Sequence, residues 1–353
     1  MTVRIELRSL RREFSDGTHV GPVDLTIEEG ELLTLLGPSG SGKTTTLRMV
    51  AGFIRPSSGS LTFNGQDMID VSPRDREIGM VFQSVALFPN MTVFENMAFG
   101  LEMARWSRTR IMDRVDELSR VLDIRELLNR RISEVSGGEA QRVAVARALA
   151  TKPKVLLLDE PLSSLDPQLR DRLQMEIRKV QRSLGITTLY VTHNQTEAFA
   201  ISDRIAIMND GIVVQVGRPE ELYENPRSEF VARFLGSGNV FSGIVEDVHK
   251  ASISVRVKDH VFEVSGQRER SSNVCFTVKP ENVRIELSQS GAEPMAAVVS
   301  VIPQAGSNRI VLDFEGNEVI SILTDDAIVS RLRNSENSRV GFAFNPDSAV
   351  LIG

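Results

Sequence analysis

The chain of 353 residues holds a single cysteine, Cys275. One thiol can form neither an intrachain disulfide nor a cysteine metal cluster, a usage that fits a reducing compartment. Positive charge is not in excess either: 41 Lys+Arg against 47 Asp+Glu give a formal net charge of −6. There is therefore no overall basic field to drive phosphate-backbone binding, and nucleic acid is not an expected partner. No stretch approaches the roughly 20 apolar residues of a spanning helix. The segment "MTVRIELRSLRREF" alternates apolar and charged residues, with no apolar run of the signal-peptide kind. The expectation is a cytosolic chain whose contact with a membrane comes through a partner.

The length suggests two or three domains at about 150 residues each. From residue 1 to about 235, β-like runs alternate with helical patterns, as in an α/β domain with a mostly parallel sheet. Its clearest buried strands are "ELLTLLG" (31–37), "KVLLLDE" (154–160) and "TTLYVTH" (187–193), each ending in polar residues. Ligands bind outside the carboxyl ends of such strands. After "GSGN" (236–239) short alternating segments follow, among them 251–257, 274–280 and 309–314, the pattern of a small barrel-like all-β domain. Within it "VCFTVKPENVRI" (274–285) echoes "VGFAFNPDSAVLI" (340–352). That echo reads equally as a duplicated unit or as two similar strands that each end at a proline.

"GPSGSGKTT" (37–45) follows the first buried strand, opens a helical pattern and matches the P-loop. Gly37, Pro38, Ser39, Gly40, Ser41 and Gly42 form a loop whose amides can turn around a phosphate chain. Lys43 would reach the outer phosphates, and the hydroxyl of Thr44, followed by Thr45, would ligate Mg²⁺. "VLLLDEP" (155–161) places two carboxylates at the end of a core strand, where unpaired charge is costly. Asp159 would join the Mg²⁺ shell, and Glu160 would act on the attacking water as general base or orienter. His193 could contact the γ-phosphate or polarise the water, or be a hydrogen-bonded core histidine. Gln83 could complete the Mg²⁺ and water shell, or be a polar strand end. In "SEVSGGEAQRVAVARALA" (133–150), Ser136 and Glu139 have capping-box spacing, which leaves Gly137 and Gly138 to be explained.

In this order the motifs resemble the nucleotide-binding subunit of ATP-binding cassette (ABC) transporters: "GPSGSGKTT", Gln83, the signature "VSGGEAQ", "VLLLDE", the D-loop "SSLD" (163–166) and His193. The signature departs from the commoner LSGGQ at Val135 and Glu139. The resemblance implies an α/β P-loop NTPase domain over 1–235, with a helical subdomain at about 85–150. An oligonucleotide/oligosaccharide-binding (OB)-like, TOBE-type β domain over 236–353 follows, its "VKPENVRI" (278–285) being similar to the Arg-Pro-Glu segment of importer extensions. It also implies ATP and Mg²⁺ as cofactors, Phe14 stacked on adenine, and head-to-tail pairing with a second copy. In that pairing Ser136, Gly137, Gly138 and Asp166 meet the ATP of the other chain, an isologous contact. ATP binding would close the pair. The loop after Gln83 would pass the motion to two transmembrane permease subunits, and so indirectly to a solute-binding protein, at the cytoplasmic face of the membrane.

"GSGNVFSG" (236–243) looks closer to the iron, polyamine and oxyanion types of importer than to the sugar type, which stays the alternative substrate class. A chromosome-maintenance ATPase would need a long coiled coil between Lys43 and Ser136, and the sequence shows no sustained heptads there. The β domain, with 11 basic against 15 acidic residues and neither Trp nor Tyr, lacks the basic aromatic groove of a nucleic-acid binder.

Overall fold

The computed structural model describes residues 2–236, 238–287, 294–333 and 339–353. It divides into two compact units, Met1–Pro219 and Glu220–Gly353. In the first, two hairpins, separated in sequence by the strand Leu32–Leu36 and the helix Lys43–Ala51, form a four-stranded antiparallel sheet in the order His19–Ile27, Ile5–Glu13, Ser58–Phe63, Gln66–Asp67. The sequence reading did not set this sheet apart, because hairpins here carry the same apolar content as the parallel strands.

The second sheet runs Ile212–Gly217, Arg204–Asn209, Leu32–Leu36, Thr187–Thr192, Val155–Asp159, Ile78–Val81. All neighbours are parallel except the antiparallel edge pair of Ile212–Gly217 with Arg204–Asn209. Leu32–Leu36, Val155–Asp159 and Thr187–Thr192 are buried at every position, as unalternating apolar runs require when both faces of a parallel sheet are covered. One face packs with the helix Lys43–Ala51 on the antiparallel sheet. The other packs with the helices Val93–Met103, Arg108–Val121 and Gly137–Ala150, which lie where a helical subdomain is expected, and with Pro167–Leu184.

Local signals set these helices. Ser136 accepts from the Glu139 amide while the Glu139 carboxylate accepts from the Ser136 amide at 2.7 Å, so the expected capping box forms. Pro167–Leu184 has Asp166 as N-cap, Pro167 as its first residue and Gly185 in the left-handed conformation at its end.

The β unit answers the question of the echo. It contains two five-stranded antiparallel sheets, one ordered His260–Ser265, Ser252–Val257, Asn239–Val248, Asn273–Val278, Ala349–Ile352. The other runs Asn317–Leu323, Ser307–Phe314, Met295–Gln304, Arg339–Ala343, Arg284–Glu286. Each is a three-stranded meander plus a fourth strand, and the fifth strands are exchanged. In each copy of the echo a strand, a proline-led 3₁₀ turn and a second strand follow one another, and the copies pair reciprocally across the two sheets. Two chance strands would not produce the same order twice, so the unit is a duplicated motif. Its core is a phenylalanine cluster, Phe241, Phe262, Phe276, Phe314 and Phe342.

The division falls before residue 220, earlier than the expected change of texture near 236. The reason is local: Tyr223 donates to Glu281 at 3.0 Å and its ring lies under the Lys279 ammonium, which ties the helix Pro219–Glu224 to the β unit. Of "GSGN", Ser237 lies outside the described residues.

Candidate functional site

Four neighbouring parallel strands each deliver a candidate residue at the carboxyl end. Leu32–Leu36 runs into the P-loop, Thr187–Thr192 into His193, Val155–Asp159 into Glu160, and Ile78–Val81, one residue later, into Gln83. Order in space is therefore P-loop, His193, Glu160, Gln83, whereas order along the chain is P-loop, Gln83, Glu160, His193. The carboxyl edge of such a sheet is where ligands of open α/β folds bind.

The P-loop needs its glycines for two separate reasons. A Cβ on Gly37 would lie 2.2 Å from the Met208 carbonyl oxygen, and Gly42, at φ 93°, adopts a backbone that L-residues rarely take. Gly42 also caps the helix Lys43–Ala51 without any side-chain hydrogen bond, so the first amides of that helix are left for an anion. The Lys43 ammonium donates to the carbonyls of Gly37 at 2.9 Å and Pro38 at 2.8 Å. Burial lowers its pKa, opposed by the charges of Glu160 and Asp159.

Thr44 donates its hydroxyl to Asp159 at 2.9 Å. Burial raises the Asp159 pKa, and the Thr44 bond acts against that rise. A cleft of about 400 Å³ is lined by Phe14, Thr18, His19, Val20, Ser39, Gly40, Gly42, Lys43, Thr44, Thr45 and Glu160. Phe14 is thus half-buried at the mouth of the P-loop cleft, under the Arg12 guanidinium, and not in the core. Thr18, His19 and Val20 join it because the turn after Phe14 folds back, a placement that nothing in their spacing announced.

Glu160 is the most constrained of the set. Its backbone sits at φ 44°, a left-handed conformation that costs a non-glycine residue of order 1 kcal/mol or more and is found where function holds it. His193 Nδ1 lies 3.2 Å from one of its carboxylate oxygens, and Gln83 donates to the other at 3.3 Å. The His193 side chain is 53% exposed, so this is no core histidine. Gln83 is likewise exposed at the open end of its strand.

Ser136, Gly137, Gly138 and Asp166 do not line this cleft. The two glycines lie against the D-loop and the helix that follows it: a Cβ on Gly137 would meet only Leu165, at 3.6 Å, and one on Gly138 would lie 2.7 Å from Leu169 Cδ2. Gly138 is buried, whereas Ser136, Gly137 and Asp166 are exposed. The chain therefore carries a phosphate cradle with its catalytic candidates, and a separate, outward-facing signature.

Fold and cleft define a P-loop nucleotide-binding protein. A family profile described as ABC transporter matches residues 20–163. The spermidine/putrescine import ATP-binding protein PotA of Ruegeria pomeroyi is 40% identical, over 97% of this chain and 92% of its own. The Fe(3+) ions import ATP-binding protein FbpC of Vibrio cholerae is 43% identical, over 99% and 97%. The trehalose/maltose import ATP-binding protein MalK of Thermococcus litoralis is 43% identical, over 87% of each. Among solved structures, the dimeric bacterial ABC transporter cassette MJ0796 aligns with a TM-score of 0.54 at 29% identity, over 61% of this chain and 98% of that one. This chain belongs to the ABC transporter family, as an importer ATPase subunit. Among the described residues no helix is long and apolar enough to cross a membrane.

Proposed function

We propose that two copies of this chain close on ATP to drive uptake of a polyamine, ferric iron or an oxyanion through two separate permease subunits. The observation that carries the reading is the split of the motifs, with a complete P-loop cleft on one side and an exposed signature that its own cleft does not use on the other. In a head-to-tail pair each Gly137 amide and Ser136 would face the γ-phosphate held by the other P-loop, with Asp166 at the seam.

At its own cleft the chain would bind the phosphates with the uncapped helix Lys43–Ala51 and Lys43, and stack adenine on Phe14. Thr44, Asp159 and Gln83 offer an all-oxygen donor set suited to Mg²⁺. Mg²⁺ held there would screen the phosphate charge. Glu160 would take the proton of the attacking water, while His193 and Gln83, each at its carboxylate, hold it in register.

Phe53 and Phe88 are exposed, Phe53 with its ring 6.1 Å from that of Phe82, the residue before Gln83, in a tilted arrangement, and Phe88 five residues after Gln83. They supply an apolar seat for a permease at the cytoplasmic face of the membrane.

Glu160→Gln tests the catalytic and dimer parts together. Hydrolysis should fall at least about a hundredfold, and size-exclusion chromatography in Mg-ATP should show a trapped dimer. Unchanged hydrolysis, or a monomer at high protein concentration, would refute the assignment. The solute class is tested by adding spermidine, ferric iron, molybdate or maltose to the cognate reconstituted importer. Stimulation by maltose alone would turn the reading to the sugar class.

A further inference from the structure

Outside the cleft, an ion pair with one buried member, Glu197, joins the helix Pro167–Leu184 to the helix Gln195–Ile201. Arg170 Nε lies 3.4 Å from Glu197 Oε1. Glu197 is buried, and its other oxygen accepts from the Tyr190 hydroxyl at 3.1 Å and the Thr192 hydroxyl at 2.9 Å. The Thr192 oxygen in turn accepts from the Asn194 amide at 3.0 Å, and Asn194 caps the helix by accepting from the Glu197 amide. Both chain neighbours of His193 are thereby tied to Glu197, Thr192 through its carboxylate and Asn194 through its amide.

From its other end, Arg170 Nη2 donates to the Leu165 carbonyl in the D-loop at 2.9 Å. The D-loop continues to the site: the Ser163 hydroxyl and amide donate to the Glu160 carbonyl at 3.0 and 3.3 Å. His193 then returns to the Glu160 carboxylate. With the chain itself linking Ser163 to Leu165 and Thr192 to His193, these contacts close a ring: Glu160, Ser163, Leu165, Arg170, Glu197, Thr192, His193 and back to Glu160.

A buried ion pair is weak evidence for stability, since desolvation offsets much of its attraction. This pair is also not at its best geometry, because Arg170 Nε is buried without an aligned hydrogen-bond acceptor.

We propose that Arg170 and Glu197 are positioning residues that lock the D-loop to His193, so that the imidazole faces Glu160 only while the D-loop is seated. The pair reports the state of the D-loop to the catalytic carboxylate. It makes hydrolysis conditional on a segment that binds no nucleotide of its own chain. The proposal rests on Glu160 and His193 acting on ATP, and the test separates the two.

Steady-state ATPase is measured on the full chain for Arg170→Met, Glu197→Gln, the double variant Arg170→Met/Glu197→Gln, His193→Ala and Arg170→Met/His193→Ala, with thermal unfolding as a folding check. Arg170→Met should lower kcat about tenfold or more with KM for ATP within about twofold. The double variant, which leaves no orphaned buried carboxylate, should fold and show the same loss. In the His193→Ala background, followed by single-turnover hydrolysis, Arg170→Met should cost less than about twofold, because the route to Glu160 is already cut.

An equal fold-loss in both backgrounds, or unchanged kcat in Arg170→Met and in the double variant, overturns the proposal. If Glu160→Gln hydrolyses normally, the catalytic reading itself fails. If Glu160→Gln is inactive and Arg170→Met is not impaired, only the positioning role falls.

Discussion

Two helices of the ATPase unit start at glycine, one with Gly42 as its cap and one with Gly137 as its first residue, and they treat the positive end of the helix in opposite ways. The helix Lys43–Ala51 is preceded by Gly42 in the left-handed region and has no side-chain cap, so its first amides open into a cleft the same chain builds. The helix Gly137–Ala150 is closed by a reciprocal capping box, Ser136 with Glu139, and opens away from that cleft. The uncapped end suits an anion held permanently by its own subunit. The capped end is stabilised without a ligand, by about 1 kcal/mol for the serine cap, and so can stay exposed, as the proposed head-to-tail pairing needs. The two signature glycines differ as well. Beside Gly138 the Leu169 side chain occupies the space a Cβ would take, whereas a Cβ on Gly137 would meet only Leu165, in ordinary contact at 3.6 Å.

The largest break of this comparison is Gly137→Asp. A carboxylate at the exposed helix end should lower hydrolysis by more than about a hundredfold, while a fluorescent ATP analogue binds the isolated chain as in the native protein. Loss of that binding would show that the signature serves its own cleft. Gly138→Ala should act on folding instead. Its methyl would sit 2.7 Å from Leu169 Cδ2, and chemical denaturation should find it about 1–3 kcal/mol less stable.

The smallest effect is expected from Glu139→Gln. Hydrogen bonds from the Ser136 amide, then its hydroxyl, hold the Glu139 carboxyl below its ordinary pKa. A depressed folded value adds stability above the ordinary glutamate range and loses it as pH falls through the folded value. The variant should therefore lose less stability on acidification, by at most about 0.5 kcal/mol for so exposed a group. A steeper acid loss in the variant would contradict the cap.

Much of the site was legible because its residues follow the ends of buried strands. "ELLTLLG", "KVLLLDE" and "TTLYVTH" became the strands Leu32–Leu36, Val155–Asp159 and Thr187–Thr192 within a residue or two. The capping box was legible for the same kind of reason, a contact between residues three apart. Arg170 and Glu197 were not, since they read as ordinary charges on two amphipathic helices and gain meaning only where those helices meet. Nor was the strand exchange of the β unit, whose echo is visible in sequence but whose reciprocal pairing is long-range.

The sequence by itself determined the local chemistry: a glycine loop ahead of a lysine at a helix start, carboxylates after an apolar strand, a serine cap three residues before a glutamate. Backbone preferences and near-neighbour hydrogen bonds act over a few residues and need no fold to express them. Only the tertiary structure decided that His193 lies between the P-loop and Glu160, that Phe14 reaches the cleft, and that the signature faces away from it. Those outcomes depend on which strands become neighbours in the sheet, and pairing between distant segments is fixed by burial of the whole core.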